Sequence, residues 1–392
     1  MLFSLALIFI LGIFLGEIFK KLKLPNLIGM LLTGIILGPY ALNLIDNSIL
    51  SISADLRKIA LIIILTRAGL SLNIEDLKKV GRPAILMCFL PACFEMLGMI
   101  VLAPKLLGIN VLDAAIMGAV VGAVSPAVII PKMLKLMNEN YGTEKSIPQL
   151  ILAGASVDDI FVIVIFTILT GLAQGETITA SSFLQIPLSI ITGALVGIIL
   201  GLILTEFFKK THLRDSLKTI IMLGIAFILV TLEDNFSNII PFSGLLAIMS
   251  LAITIEKKHL VLANRLSSKF SKLWVGAEIL LFVLVGATVD LKYAFAAGFS
   301  AIILIFGVLI FRLFGVFLCL LKTDLSIKER IFCMIAYMPK ATVQAAIGGI
   351  PLAMGLSSGE IILTVAVLSI LITAPLGALG IDLTYKKLLT KD

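Results

Sequence analysis

Residues 148–172 read PQLILAGASVDDIFVIVIFTILTGL, an apolar run interrupted near its middle by two adjacent carboxylates, Asp158 and Asp159. A run of this length is about what a helix needs to cross the hydrocarbon of a bilayer. An ionised side chain at that depth costs several kcal/mol, so a membrane helix does not carry two of them for packing. Such residues line an aqueous path, bind cations or relay protons. On an α-helix, sequence neighbours point roughly 100° apart, so the two carboxylates do not share a face. One can meet a water-filled cavity while the other meets a basic residue of the next helix. This divides their roles: Asp159 for the ion and proton, Asp158 in support.

The rest of the chain fits a membrane setting. It has 392 residues, 60% of them apolar and 14% charged, with a mean hydropathy of +1.16. Soluble domains are roughly 45–50% apolar and about 25% charged. Breaking the sequence at charge clusters and Pro/Gly turns predicts thirteen apolar segments, at 2–19, 26–43, 56–72, 83–103, 112–137, 147–172, 184–208, 216–232, 241–255, 273–289, 294–321, 329–350 and 359–381. The first is apolar from its second residue and has neither a basic leader nor a small-residue cleavage site, so it reads as a retained helix.

The formal charge of +7 could suggest nucleic acid or an anionic surface, but its distribution assigns it to topology. Loops after odd-numbered segments hold Lys20, Lys21 and Lys23, then Lys78, Lys79 and Arg82, then Lys132, Lys135 and Lys145, then Lys209, Lys210, Arg214 and Lys218. The same alternation continues through 257–272, 322–330 and 386–391. The opposite loops hold little more than Lys105 and Lys292, with Arg57 and Lys58 at a segment edge. By the positive-inside rule the N-terminus is outside and the C-terminus cytoplasmic, in a multi-pass protein of the plasma (inner) membrane. No nucleic-acid partner is implied; the partner is the lipid bilayer.

Two segments are interrupted. The fifth contains Ala123-Val124-Ser125-Pro126 and then Pro131; the twelfth contains Met338-Pro339-Lys340, with Pro351 beyond. Proline removes a backbone donor and clashes with the preceding turn. In a membrane the carbonyls so released must meet protein, ion or water. Interrupted helices at corresponding places in two halves point to a transporter binding site. Pro126 and Pro339 are 213 residues apart, and Glu95 and Arg312 are 217 apart, which supports a repeat pairing the fourth to sixth segments with the eleventh to thirteenth.

Other intramembrane charges divide by depth. Glu17 and Arg67 lie near segment ends and can snorkel or pair. Glu278 lies about a turn inside its segment and reads as a structural partner. Glu95 and Arg312 lie deep, and since a lone buried charge is strongly unfavourable they are predicted to pair. Lys340 adjoins the second break, where it can compensate half-helix carbonyl ends or lie beside the aspartates.

Enzyme chemistry finds little support. There is no HExxH, no GxGD and no GxxxxGK[ST] phosphate loop, and the two histidines, His212 and His259, fall in charged loops. Cys88, Cys93, Cys319 and Cys333 show no CxxC spacing and predict neither a disulfide framework nor a metal site.

Four stretches together, VGAVSPAVIIP (121–131), GASVDD (154–159), LVGATVDL (284–291) and MPKATVQAAIG (338–348), resemble the monovalent cation:proton antiporters, in the branch with paired aspartates that includes bacterial sodium/proton antiporters. They are closest to the animal sodium/proton exchanger subgroup and its bacterial relatives. The resemblance spans essentially the whole chain. It implies an all-α polytopic protein of thirteen transmembrane helices, inverted repeats and two broken, crossing helices. It implies dimer-domain helices in 1–80, a core ion-transport domain in 81–172 and 273–392, and dimer or linker helices in 173–272. It implies a homodimer, no cofactor, and exchange of Na⁺ or Li⁺ for H⁺, with the cation at Asp159, Asp158 beside it and main-chain contacts near Ser125. Electrogenic members carry a lysine where this chain has Arg312. Arginine stays protonated and is a poor proton carrier, so Arg312 resembles the arginine of electroneutral relatives, paired with Glu95. A sodium-coupled symporter of organic anions on a related fold is the alternative.

Overall fold

The computed structural model describes residues 1–72, 81–174, 180–236 and 242–392. The basic positions Lys78 and Lys79, the boundary proposed at residue 80 and the first residue of the 241–255 segment lie outside these. Among the described residues, nine helical stretches are long and apolar enough to cross a membrane. They include α1 (Leu2–Lys21), α9 (Ile147–Ala173), α14 (Leu291–Cys319) and α18 (Gly359–Leu388). The remaining predicted segments take other forms. Helix α2 (Asn26–Leu37) has 12 residues and α12 (Gly244–Lys258) has 15. At about 1.5 Å per residue neither reaches the roughly 30 Å of hydrocarbon. Helix α4 (Ser53–Ser71) is more polar, with Asp55 in its first turn. The 329–350 segment is broken.

The chain forms two compact units, one of Met1–Arg57, Asp76–Ala173 and Ile279–Asp392, the other of Lys58–Glu75 and Gln174–Glu278. In the first unit, α1 turns Ser4, Ile8, Gly12 and Gly16 inward and leaves Ile10 and Phe14 exposed. This inverts the soluble pattern. Small residues line helix contacts in lipid because backbones can then approach closely. Gly34 of α2 shows how closely: a Cβ there would sit 1.9 Å from the carbonyl oxygen of Val283. In the second unit, Gly193, Gly197 and Gly201 form a stripe at four-residue spacing on α10 (Ala180–Lys210) that faces α12.

Both interruptions belong to the first unit. Helix α7 (Val111–Val121) ends, the chain runs non-helically through 122–125, and α8 restarts at Pro126 and continues to Asn138. Proline suits that first position because its missing N–H would have no helical partner. Pro131, in contrast, is accommodated within α8. Helix α15 (Ile327–Ala336) opens with a Ser326–Glu329 capping box, stops before 337–341, and is followed by α16 (Thr342–Ile347) and α17 (Ile350–Ala353). Ahead of them, α5 (Arg82–Met87) and α6 (Leu90–Leu107) lead into α7. Helix α6 packs along α14, where Gly98 faces the Phe311 ring and Gly315 faces Pro91. That register brings Glu95 and Arg312 to the same level.

Candidate functional site

The two interruptions meet. The Ser125 N–H donates to the Pro339 carbonyl at 2.8 Å. Ending a helix leaves its last carbonyls without intrahelical partners, and the chain's own side chains take those of the first break. Lys340 Nζ donates to Val121 O at 2.6 Å. Arg312 Nη1 donates to Gly122 O. Gln344 Nε2 spans Val121 O (3.2 Å) and Ala123 O (2.8 Å). At the second break, Tyr337 O accepts from Arg312 Nε at 2.7 Å, and the Lys340 N–H donates to Thr373 Oγ1 at 3.1 Å.

Charges knit the breaks to α6 and α9. Glu95 Oε2 accepts from both Arg312 Nη1 (2.7 Å) and Lys340 Nζ (2.6 Å). Arg312 Nη2 lies 3.1 Å from Asp158 Oδ2, and the Val124 N–H donates to the same oxygen at 2.9 Å. The guanidinium fork of Arg312 thus reaches Glu95, Asp158 and the main chain of both breaks, a geometry an ammonium does not reproduce.

Asp158 is fully buried, whereas Asp159 keeps 7% exposure. The neighbours diverge as helix geometry requires: Asp158 faces Arg312 and the first break, and Asp159 has no ion pair within 4.0 Å among the described residues. Asp159 Oδ1, Asp158 Oδ1 and Ser125 Oγ are buried oxygens without a hydrogen-bond partner. Arg312 and Lys340 thus pair with Glu95 and Asp158, and Asp159 belongs to no such pair among the described residues. Hard cations take oxygen ligands, and these three oxygens are of that type. Among the described residues no group of three or more His, Cys, Asp or Glu gathers as a resident metal site.

Of the other charges singled out in the sequence, Glu17 pairs with Lys20 on the surface at 3.1 Å. Sequence reasoning did not single out Gln344, Thr373 or Tyr337. Gln344 lies within the quoted MPKATVQ stretch, and a buried amide beside a proline break was the available signal. Tyr337 donates through its hydroxyl to Met87 O at 3.0 Å, and Gly154 on α9 makes room for that hydroxyl, since a Cβ there would lie 2.5 Å from it.

Residues 5–387 match the family model described as "Sodium/hydrogen exchanger, transmembrane". The chain is 34% identical to the human sodium/hydrogen exchanger 9B2, over 100% of its own length and 75% of the relative's. It is 30% identical to human 9B1, over 100% and 78% respectively. The structure of the sodium proton antiporter MjNhaP1 from Methanocaldococcus jannaschii at pH 8 superposes with a TM-score of 0.87 at 22% identity, covering 98% of this chain and 97% of that one.

Proposed function

Because the chain belongs to the transmembrane sodium/hydrogen exchanger family, we propose that it exchanges Na⁺ or Li⁺ for H⁺ by alternating access, with Asp159 as the position for which cation and proton compete. The observation that carries this reading is a buried carboxylate, Asp159, next in sequence to the one that the first break engages. Arg312 and Lys340 answer Glu95 and Asp158, and Asp159 is the acid left over. Away from water an uncompensated carboxylate is costly. A proton on it, or a dehydrated monovalent cation beside it, removes that cost; both together do not fit one charge. A loaded site is charge-compensated and crosses between the membrane faces, whereas an unloaded one is held back by the cost of burying its charge. Asp158 and Ser125 complete the oxygen set for the cation, and the fixed hydrogen bonds of Arg312, Lys340 and Gln344 keep the first break open against Asp158.

Arg312 holds its proton against two carboxylates and two carbonyls, and Lys340 shares Glu95. Arg312 is not placed to carry a second proton, so we read one H⁺ per cation and electroneutral transport. Around this site we read thirteen membrane-embedded segments, not all of them helices that cross the bilayer unbroken. Residues 81–172 and 273–392 form the ion-carrying body, with 1–80 and 173–272 supplying dimer and linker helices of a homodimer. The N-terminus is outside the plasma membrane and the C-terminus cytoplasmic. The test is Na⁺-driven proton flux in proteoliposomes. Asp159→Asn abolishes it, and the parent rate is the same with and without an imposed potential. Intact coupled flux in the variant removes the site assignment; a potential-dependent parent rate removes the one-for-one stoichiometry.

A further inference from the structure

The only histidines of the chain, His212 and His259, are 47 residues apart in sequence yet line one pocket of about 500 Å³ within the second unit. Its walls come from the end of α10, the start of α11 (Asp215–Phe236), and the junction between α12 and α13 (Leu260–Ala287). Lys209, Arg214, Lys218 and Arg265 also line it, and Asp215 is the one acidic residue of the lining. That carboxylate is engaged by Arg265 Nε at 3.3 Å.

Lys218 is the anchor. Its residue is 5% exposed, its Nζ donates to the Phe208 carbonyl at 3.1 Å, and it lies 5.4 Å from the centroid of the Phe208 ring. A carbonyl and a ring face solvate an ammonium without neutralising it, and among the described residues no carboxylate lies within ion-pair distance of this one. A buried cation left so is costly; an anion in the pocket removes the cost. Two helix N-termini, at Asp215 and Leu260, open on the same space and add their positive dipole ends. At the second, the Leu262 N–H donates to His259 Nδ1 at 3.4 Å, which leaves the proton on Nε2 as a donor.

The volume is in the range of about 300–1,000 Å³ typical of small-molecule sites and exceeds what a lone inorganic phosphate fills. Leu217 and Ile220 of α11 and Leu260 and Val261 of α13 are exposed apolar side chains within a turn or two of the pocket. In a chain that spans a bilayer, exposed apolar side chains suit acyl chains, and a basic pocket within a turn or two of them suits headgroup depth. We infer that this pocket binds the phosphate group of an acidic phospholipid, with Lys218, Arg214 and His259 Nε2 as its donors. The inference stands apart from the exchange reading, because it concerns binding within the other unit.

The experiment uses the full chain in a neutral detergent and measures binding of phosphatidic acid, phosphatidylcholine, glycerol 3-phosphate and inorganic phosphate by native mass spectrometry and calorimetry. Phosphatidic acid is expected to bind, phosphatidylcholine not to. Arg214→Ala is expected to weaken binding about tenfold, as for the loss of one charge-assisted hydrogen bond. Arg214 and His212 have exposed side chains, so Arg214→Ala and His212→Ala are expected to keep the parent elution profile and ligand-free unfolding midpoint. Should Arg214→Ala fail that check, weakened binding by a folded His259→Ala is the readout. Equal binding of phosphatidylcholine, or undiminished phosphatidic acid binding in a folded variant, overturns the proposal. Glycerol 3-phosphate or inorganic phosphate binding as tightly as the lipid overturns the lipid source and assigns a free phosphate.

Discussion

The two helix interruptions differ in what holds them. The first, at 122–125, presents three consecutive carbonyls to charged and amide side chains of the second half: Lys340, Arg312 and Gln344. The second, at 337–341, is held mainly by neutral groups, the Ser125 N–H on Pro339 O and Thr373 Oγ1 accepting from the Lys340 N–H, with Arg312 on Tyr337 O. The second half thus lends its cations to the first break, and the first half lends its acids, Glu95 and Asp158, to those cations. Each break takes a partner from the other half of the chain, so neither half builds the pair of breaks alone. Among the described residues Asp159 is the carboxylate outside this exchange, and it is the group we propose responds to an ion.

This asymmetry can be broken from either side. Removing Glu95 strikes both cations at once. Glu95→Gln is expected to destabilise the protein by about 3–5 kcal/mol, the usual cost of stranding a buried charge, read from unfolding in detergent. A loss no larger than that of a surface pair such as Glu17–Lys20, about 0–1 kcal/mol, would break the claim that the first break is held by charge. Gln344→Leu deprives Val121 O and Ala123 O of an amide donor, and an unsatisfied buried group costs about 1–3 kcal/mol. The second break is expected to be more tolerant. Thr373→Val removes one neutral acceptor from the Lys340 N–H and is expected to cost about 1 kcal/mol, measured in the same unfolding series. A Thr373→Val loss exceeding that of Gln344→Leu reverses the comparison.

A final, smaller effect lies away from both breaks and serves as their control. The Thr143 hydroxyl and the Glu144 N–H hold the Asp392 carboxyl below the usual carboxylate range. Because the folded value is depressed, the contact is present above the ordinary Asp value of about 3.9 and is lost as pH falls through the lower folded value. Protection of the Gly142 amide, which donates to Thr390 O, is therefore expected to be level from neutral pH down to about 4 and to fall below it. Asp392→Asn removes that acid step. A step persisting in the variant removes the assignment to Asp392.

Much of the site was legible before folding was considered. Charge in an apolar run is so costly that Asp158, Asp159, Glu95 and Arg312 mark themselves, and proline in a membrane helix marks Pro126 and Pro339. The divergence of Asp158 and Asp159 follows from 100° per residue alone. Gln344 and Thr373 were not legible in this way. An amide or hydroxyl in an apolar segment costs little enough to pass as ordinary, and its role depends on which carbonyl or amide lies opposite. Lys340 could be placed at the break but not assigned a partner: its Nζ reaches Glu95, which lies on a helix 245 positions distant. The pocket of His212 and His259 was hidden for the same reason, since two charged loops in sequence say nothing of their distance in space.

Sequence by itself determined that this chain lives in a bilayer, where most of its long helices run, where two of them stop, and which charges must find company, because hydrocarbon penalises each of these features locally. Only the tertiary structure decided which carbonyl meets which cation and which carboxylate is left without one. Most of those pairings join residues 154 to 245 positions apart, and they are set by helix register, through close approaches such as Gly98 on Phe311 and Gly154 on Tyr337, rather than by any local cost.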